Sequence, residues 1–86
     1  MKEGLYKFVQ VNQGEIRIVE STLHGPRHID LVNKGEVAVA AGLVSVFENF
    51  WKFADRYSSS LRIGCSDLVI PILTGIIGKP YKEDVW

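Results

Sequence analysis

The sequence predicts an α+β fold: a small antiparallel sheet of about four to five strands with one long amphipathic helix packed on one face. Two alternating apolar runs flank Asn12-Gln13-Gly14, which is the signature of a β-hairpin. Residues 43–57, LVSVFENFWKFADRY, separate cleanly on a helical wheel at about 100° per residue. Strands followed by a helix give a layout in which the helix covers one sheet face.

In the hairpin, Leu5, Lys7, Val9 and Val11 point one way, and Tyr6, Phe8 and Gln10 the other. Glu15 to Glu20 alternates again, with Ile16 and Ile18 on one face. Gly14 is the residue expected in the left-handed region of a three-residue loop. Gly25-Pro26 marks 21–27 as a connector. His28 to Val32 alternates briefly and reads as a strand. Asn33-Lys34-Gly35 is a second turn, and Glu36 to Val39 a further strand.

The helix is expected from about Ala41 to Ser58. Leu43, Phe47, Phe50 and Ala54 lie at the centre of its apolar arc and should face the sheet. Val44 and Trp51 lie at one margin, Val46 and Phe53 at the other. Residues 61–63 read as a short strand. Residues 66–78, SDLVIPILTGIIG, pose a conflict: Ser66 or Asp67 suits a helix cap, whereas Pro71 and the β-branched Val69, Ile70 and Ile72 favour an extended, buried segment. The extended reading is preferred. The tail, 79–86, reads as loosely held, with Trp86 as a potential anchor.

The chain has 86 residues and reads as one domain, 1–86. A chain this short buries only about 60–65% of its unfolded surface, yet 47% of its residues are apolar, so part of that excess belongs at an interface. Ten basic residues balance ten acidic ones and are scattered, which argues against nucleic acid as a partner. The single cysteine, Cys65, excludes an internal disulfide and fits a reducing, cytoplasmic setting. The start, MKEGLYKFVQ, is polar and alternating, unlike a signal peptide, and no apolar run approaches the roughly 20 residues that span a bilayer.

No Walker A loop, dinucleotide fingerprint, EF-hand loop or nucleophile elbow occurs. His24 and His28 have a spacing that suits a helical metal pair, but Gly25-Pro26 separates them. Ile63-Gly64-Cys65-Ser66-Asp67 resembles the zinc-ligand strand end of β-class carbonic anhydrases. That family continues with Ser-Arg and adds a downstream His-x-x-Cys. Here Leu68-Val69 follow, and no histidine or cysteine occurs after Cys65, so the resemblance is set aside and Cys65 reads as an inert thiol.

No catalytic, metal or cofactor assignment results. The leading expectation is a non-enzymatic interaction domain that works as a homo-oligomer, most simply a dimer. Its interface would use Val44, Val46, Trp51 and Phe53 on the helix margins, with Ile72 and Ile76 from the C-terminal apolar segment. The alternative is a small-molecule binder or simple enzyme. Its pocket would lie between the aromatic helix and the sheet, hold a small apolar ligand, and use His28, Asp30 and Tyr57 as polar groups.

Overall fold

The computed structural model describes residues 1–12 and 14–83. The fold is α+β. Its main sheet has four antiparallel strands: β1 (Gly4–Val11), β2 (Glu15–Glu20), β3 (Ala38–Val46) and β4 (Trp51–Asp55), in the order β2-β1-β3-β4. A second sheet pairs β5 (Tyr57–Ser58) with β6 (Ile63–Gly64). A short 3-10 helix, His28–Leu31, precedes β3. Another, Asp67–Val69, leads into the α-helix α1 (Ile70–Ile77).

The hairpin forms as the alternation predicts, with Val11 opposite Glu15 and Phe8 opposite Ile18. Among its described residues the left-handed one is Asn12 (φ 50°), not Gly14. Asn12 tolerates that region because its side chain finds a local partner: Oδ1 accepts from the Val37 N–H at 3.0 Å, while the Asn12 N–H donates to the Val37 carbonyl at 2.9 Å. The first turn is thereby tied to the start of β3.

The long helix expected from Ala41 to Ser58 does not form; that stretch supplies most of β3, a turn and β4. The physical reason is that β3 is covered on both faces. Ala40, Val44 and Val46 join one core with Tyr6, Phe8, Trp51, Leu73 and Ile77. Ala41 joins a second core with Val9 and Val11 on the opposite face, packed against Leu31, Val32, Leu61 and Ile63. A strand buried on both faces loses the polar half of its alternation, and its apolar residues then fit a helical wheel by coincidence. Val44, Val46 and Trp51, expected at the margins, are core. Phe47 and Phe50, expected at the centre, stack on each other in the turn at 4.7 Å.

Of residues 28–32, His28–Leu31 form the 3-10 helix, not a strand. Asp30 folds back to accept from the Arg27 N–H at 2.9 Å, closing a turn that Pro26 leads into. Between the caps Ser66 and Gly78, residues 67–77 are helical, not extended. The Ser66 hydroxyl accepts from the Leu68 N–H at 3.3 Å, Pro71 lies in the first turn of α1, and Gly78 (φ 78°) ends it. Proline costs nothing in a first turn, because its missing N–H would be unpaired there anyway. Val69, Leu73 and Ile77 of this segment are buried on the sheet.

The tail is docked over 79–83. The Trp51 N–H donates to the Pro80 carbonyl at 2.9 Å and the Lys82 N–H to the Trp51 carbonyl at 3.0 Å, so this segment covers the outer edge of β4. The anchoring residue is Tyr81, against the Trp51 ring at 4.7 Å. Trp86 lies outside the described residues. The opposite sheet edge, β2, has no strand beside it among the described residues.

Candidate functional site

The residues singled out from the sequence fall into three groups. Val44, Val46 and Trp51 are buried within the single chain and face its own core. Phe53 is partly buried under the Arg56 guanidinium, 4.3 Å from the ring centre, and meets Tyr81 edge-on. Ile72 and Ile76 are different: they lie on the outer side of α1, 39% and 42% exposed.

His28, Asp30 and Tyr57 are not brought together. His28 is buried with Nε2 2.8 Å from the Gly42 carbonyl, Asp30 turns outward to Arg27, and Tyr57 is 49% exposed on β5. With Leu43–Tyr57 folded as sheet, no aromatic helix exists to roof a pocket.

Around α1, Leu68, Ile72 and Ile76 repeat every four residues and share the outer face. Leu68, at the lip, is 83% exposed. No charged residue occurs from Leu68 to Gly78; Asp67 and Lys79 bracket the segment with opposite signs. The indole N–H of Trp51 donates to the Thr74 hydroxyl at 3.2 Å, which turns one flank of α1 towards β4. Ile72 and Ile76 lie away from Thr74 on the helix, and Ile16 and Ile18 of β2, packed against the same core as α1, are only half-buried.

A groove of about 390 Å³ opens beside Leu68, between the start of α1 and the sheet, with Val39, Ala40, Cys65 and Val69 in its walls. Val39 reaches it because of an irregularity in the ladder: Gln10 pairs with Ala40 and Val11 with Ala38, so Val39 is the extra residue of a bulge. Burial pushes the Cys65 thiol up from its ordinary value, which favours its protonated form. The sequence gives no signal for this groove, since it depends on the bulge.

Two arginines hold the periphery. Arg56 donates to Asp67 at 2.6 Å, to Glu83 at 2.8 Å and to the Tyr81 hydroxyl at 3.1 Å, joining the end of β4 to the start of α1 and to the tail. Arg17 on β2 reaches the Leu31 carbonyl at 2.7 Å and forms a two-pronged pair with Glu36, its Nη2 at 2.6 Å. The Arg17 pair, with the Asn33 N–H, holds the Glu36 carboxyl down from the ordinary 4.5 to about 2. A depressed carboxyl stabilises the fold above its unfolded value, and that contribution drains away as pH falls from about 4.5 towards 2. The urea midpoint of the wild type should therefore fall across this window more steeply than that of Glu36→Gln. Parallel curves for the two proteins would show that the pair does not couple folding to pH.

Among the described residues no group of three or more His, Cys, Asp or Glu side chains is placed to hold a metal ion, and no helix is long and apolar enough to cross a membrane. Comparison of the chain with protein-family models, with curated proteins and with solved structures finds no match.

Proposed function

We propose that this chain works as a self-associating interaction domain in which two copies meet through the outer face of α1. The observation that carries this reading is the apolar character of α1 on both sides. A helix on a protein surface ordinarily turns charged or polar residues to water. Here the sheet-facing side is Val69, Leu73 and Ile77, and the outer side is Leu68, Ile72 and Ile76. Helices apolar all round are normally covered all round.

A second copy suits this surface for three reasons. The chain has a formal net charge of zero, so two copies do not repel each other at long range. A two-fold axis across the helix sets two copies of α1 antiparallel, which brings Asp67 of each towards Lys79 of the other. A stable dimer needs about 800 Å² from each partner. Three side chains fall short of that, and the half-buried Ile16 and Ile18 of β2, packed on the same core, are the apolar side chains that would extend the interface.

Sedimentation of the wild type and of Ile72→Glu tests the reading. The wild type should sediment as a dimer at roughly 10–100 μM, as a micromolar dissociation constant implies. Ile72→Glu should sediment as a monomer with an unchanged circular dichroism spectrum. A monomeric wild type, or a dimeric and folded Ile72→Glu, would reject it.

A further inference from the structure

On the sheet face opposite α1, where the 3-10 helix His28–Leu31 crosses β1 and β3, a cleft of about 250 Å³ is lined by Lys7, Arg27, His28, Leu43, Ser59 and Ser60. We propose that this cleft binds a phosphoryl group, either free phosphate or the phosphate end of a small metabolite.

The polar groups in the lining are nearly all hydrogen-bond donors with capacity left over. The Lys7 ammonium gives one of its three protons to the Pro26 carbonyl, at 2.8 Å, and keeps two. Arg27 spends Nε on Asp30, at 3.5 Å; its two terminal Nη groups have no partner among the described residues. The Ser59 hydroxyl likewise has none. Ser60 already accepts from the Ile29 N–H, at 3.3 Å, which leaves its own proton to give to Ser58 or to a ligand. A cleft that offers lysine, arginine and hydroxyl donors calls for a compact ligand with several acceptor oxygens and negative charge, which is the chemistry of phosphate.

His28 adds one acceptor. Its Nε2 faces the Gly42 carbonyl and must carry the proton for that bond. In the neutral tautomer that this bond selects, Nδ1 carries a lone pair. No buried side-chain nitrogen or oxygen among the described residues lacks a partner, so Nδ1 is not sealed off, and His28 is one of the residues that line the cleft. A hydrogen phosphate, with one P–OH among its acceptor oxygens, matches a site of many donors and one acceptor.

Of the nearby carboxylates, Asp30 offsets part of the Arg27 charge: it accepts from the Arg27 backbone and side chain, which hold its carboxyl below the ordinary value, and Lys7 is left as the uncompensated cation of the lining. Asp55, opposite Leu43, turns its carboxylate to the Tyr57 N–H at 3.0 Å. The size fits as well. At about 30 Å³ of liquid volume per water, the cleft holds about eight waters. That suits phosphate or a phosphate with a short carbon chain, and is smaller than the roughly 300–1,000 Å³ of drug-sized pockets.

The test is a titration of the ¹⁵N-labelled full chain with inorganic phosphate at constant ionic strength, with sodium chloride as control. Amide signals of Arg27, His28, Ser59 and Ser60 should shift and saturate with a dissociation constant on the order of 1 mM. Lys7→Met and Arg27→Gln should each weaken binding by roughly tenfold; Arg27 lies at the surface, so its variant keeps the test valid if Lys7→Met folds poorly. Glycerol phosphate in a parallel titration separates the two sources: tighter binding than phosphate assigns a phosphate monoester, weaker binding the free anion. Shifts that do not saturate, or equal affinity in the wild type and both variants, would overturn the proposal. The cleft and α1 lie on opposite sheet faces, so neither result bears on self-association.

Discussion

Trp51→Ala should come close to unfolding the protein. Trp51 is wholly buried, and its ring meets Phe53 at 5.1 Å and Tyr81 at 4.7 Å. Its indole N–H is the partner of the Thr74 hydroxyl, so one side chain joins β4, the tail and α1. Cutting a buried tryptophan to alanine costs about 3–5 kcal/mol. The two aromatic contacts are each worth about 0.5–1.5 kcal/mol beyond area burial. At about 0.05–0.15 kcal/mol per residue, the whole fold is stable by roughly 4–13 kcal/mol, so the loss consumes a large share. Urea denaturation followed by circular dichroism should show the midpoint falling by at least a third with little change in slope. A loss under about 1 kcal/mol would mean that Trp51 does not organise this core. From sequence alone, Trp51 was a candidate for a subunit interface; its burial inside one chain makes it a test of folding instead.

That reversal shows where the sequence was legible. The hairpin could be read because β1 and β2 alternate and a turn separates them. The antiparallel sheet and the α+β class followed from it. The start of β3 was read as a strand, but residues 41–55 were not, since Ala40 and Val44 belong to one core while Ala41 belongs to the other. A strand between two cores carries no period of two. The overlooked local cue was valine: Val44 and Val46, like Val39 in the strand expected before them, favour a strand over a helix.

The error at α1 was the mirror image. Its isoleucines suggested a strand, but proline in the first turn, Ser66 before it and Gly78 after it form the usual start and stop signals of a helix. The apolar C-terminal segment was read as extended and buried, yet Ile72 and Ile76, named from its composition as interface candidates, lie exposed on the helix. The cleft at His28 was half legible. His28 was singled out for its chemistry, but Lys7, Arg27 and Ser60 lie far from one another in sequence. They meet only because the 3-10 helix folds back over β1 and β3.

Gly42→Val should be the second most damaging single change. A side chain at Gly42 would place its first carbon 2.7 Å from the Asp55 carbonyl oxygen and 3.1 Å from the Phe8 ring. Neither neighbour can yield cheaply. The Asp55 carbonyl is backbone, brought close by the shift in register between Leu43 and Val44, and the Phe8 ring is wholly buried. Glycine is needed here for close approach, because φ at this residue is not in the left-handed region. Overpacking of this kind costs about 1–3 kcal/mol, and the two branches of valine put it at the upper end, about 3 kcal/mol. Gly42→Ala brings only the first carbon and should lose about half as much. Urea midpoints of the two variants should therefore fall in the order alanine then valine, and equal, near-wild-type midpoints would show that β4 moves aside freely. The damage should not stay in the core. The Gly42 carbonyl is the partner of His28 Nε2, so a displaced β3 releases the imidazole that lines the cleft. The His28 ring signals should move in Gly42→Ala, even while that variant remains folded, because the residue that lets three strands pack closely also positions the one buried histidine.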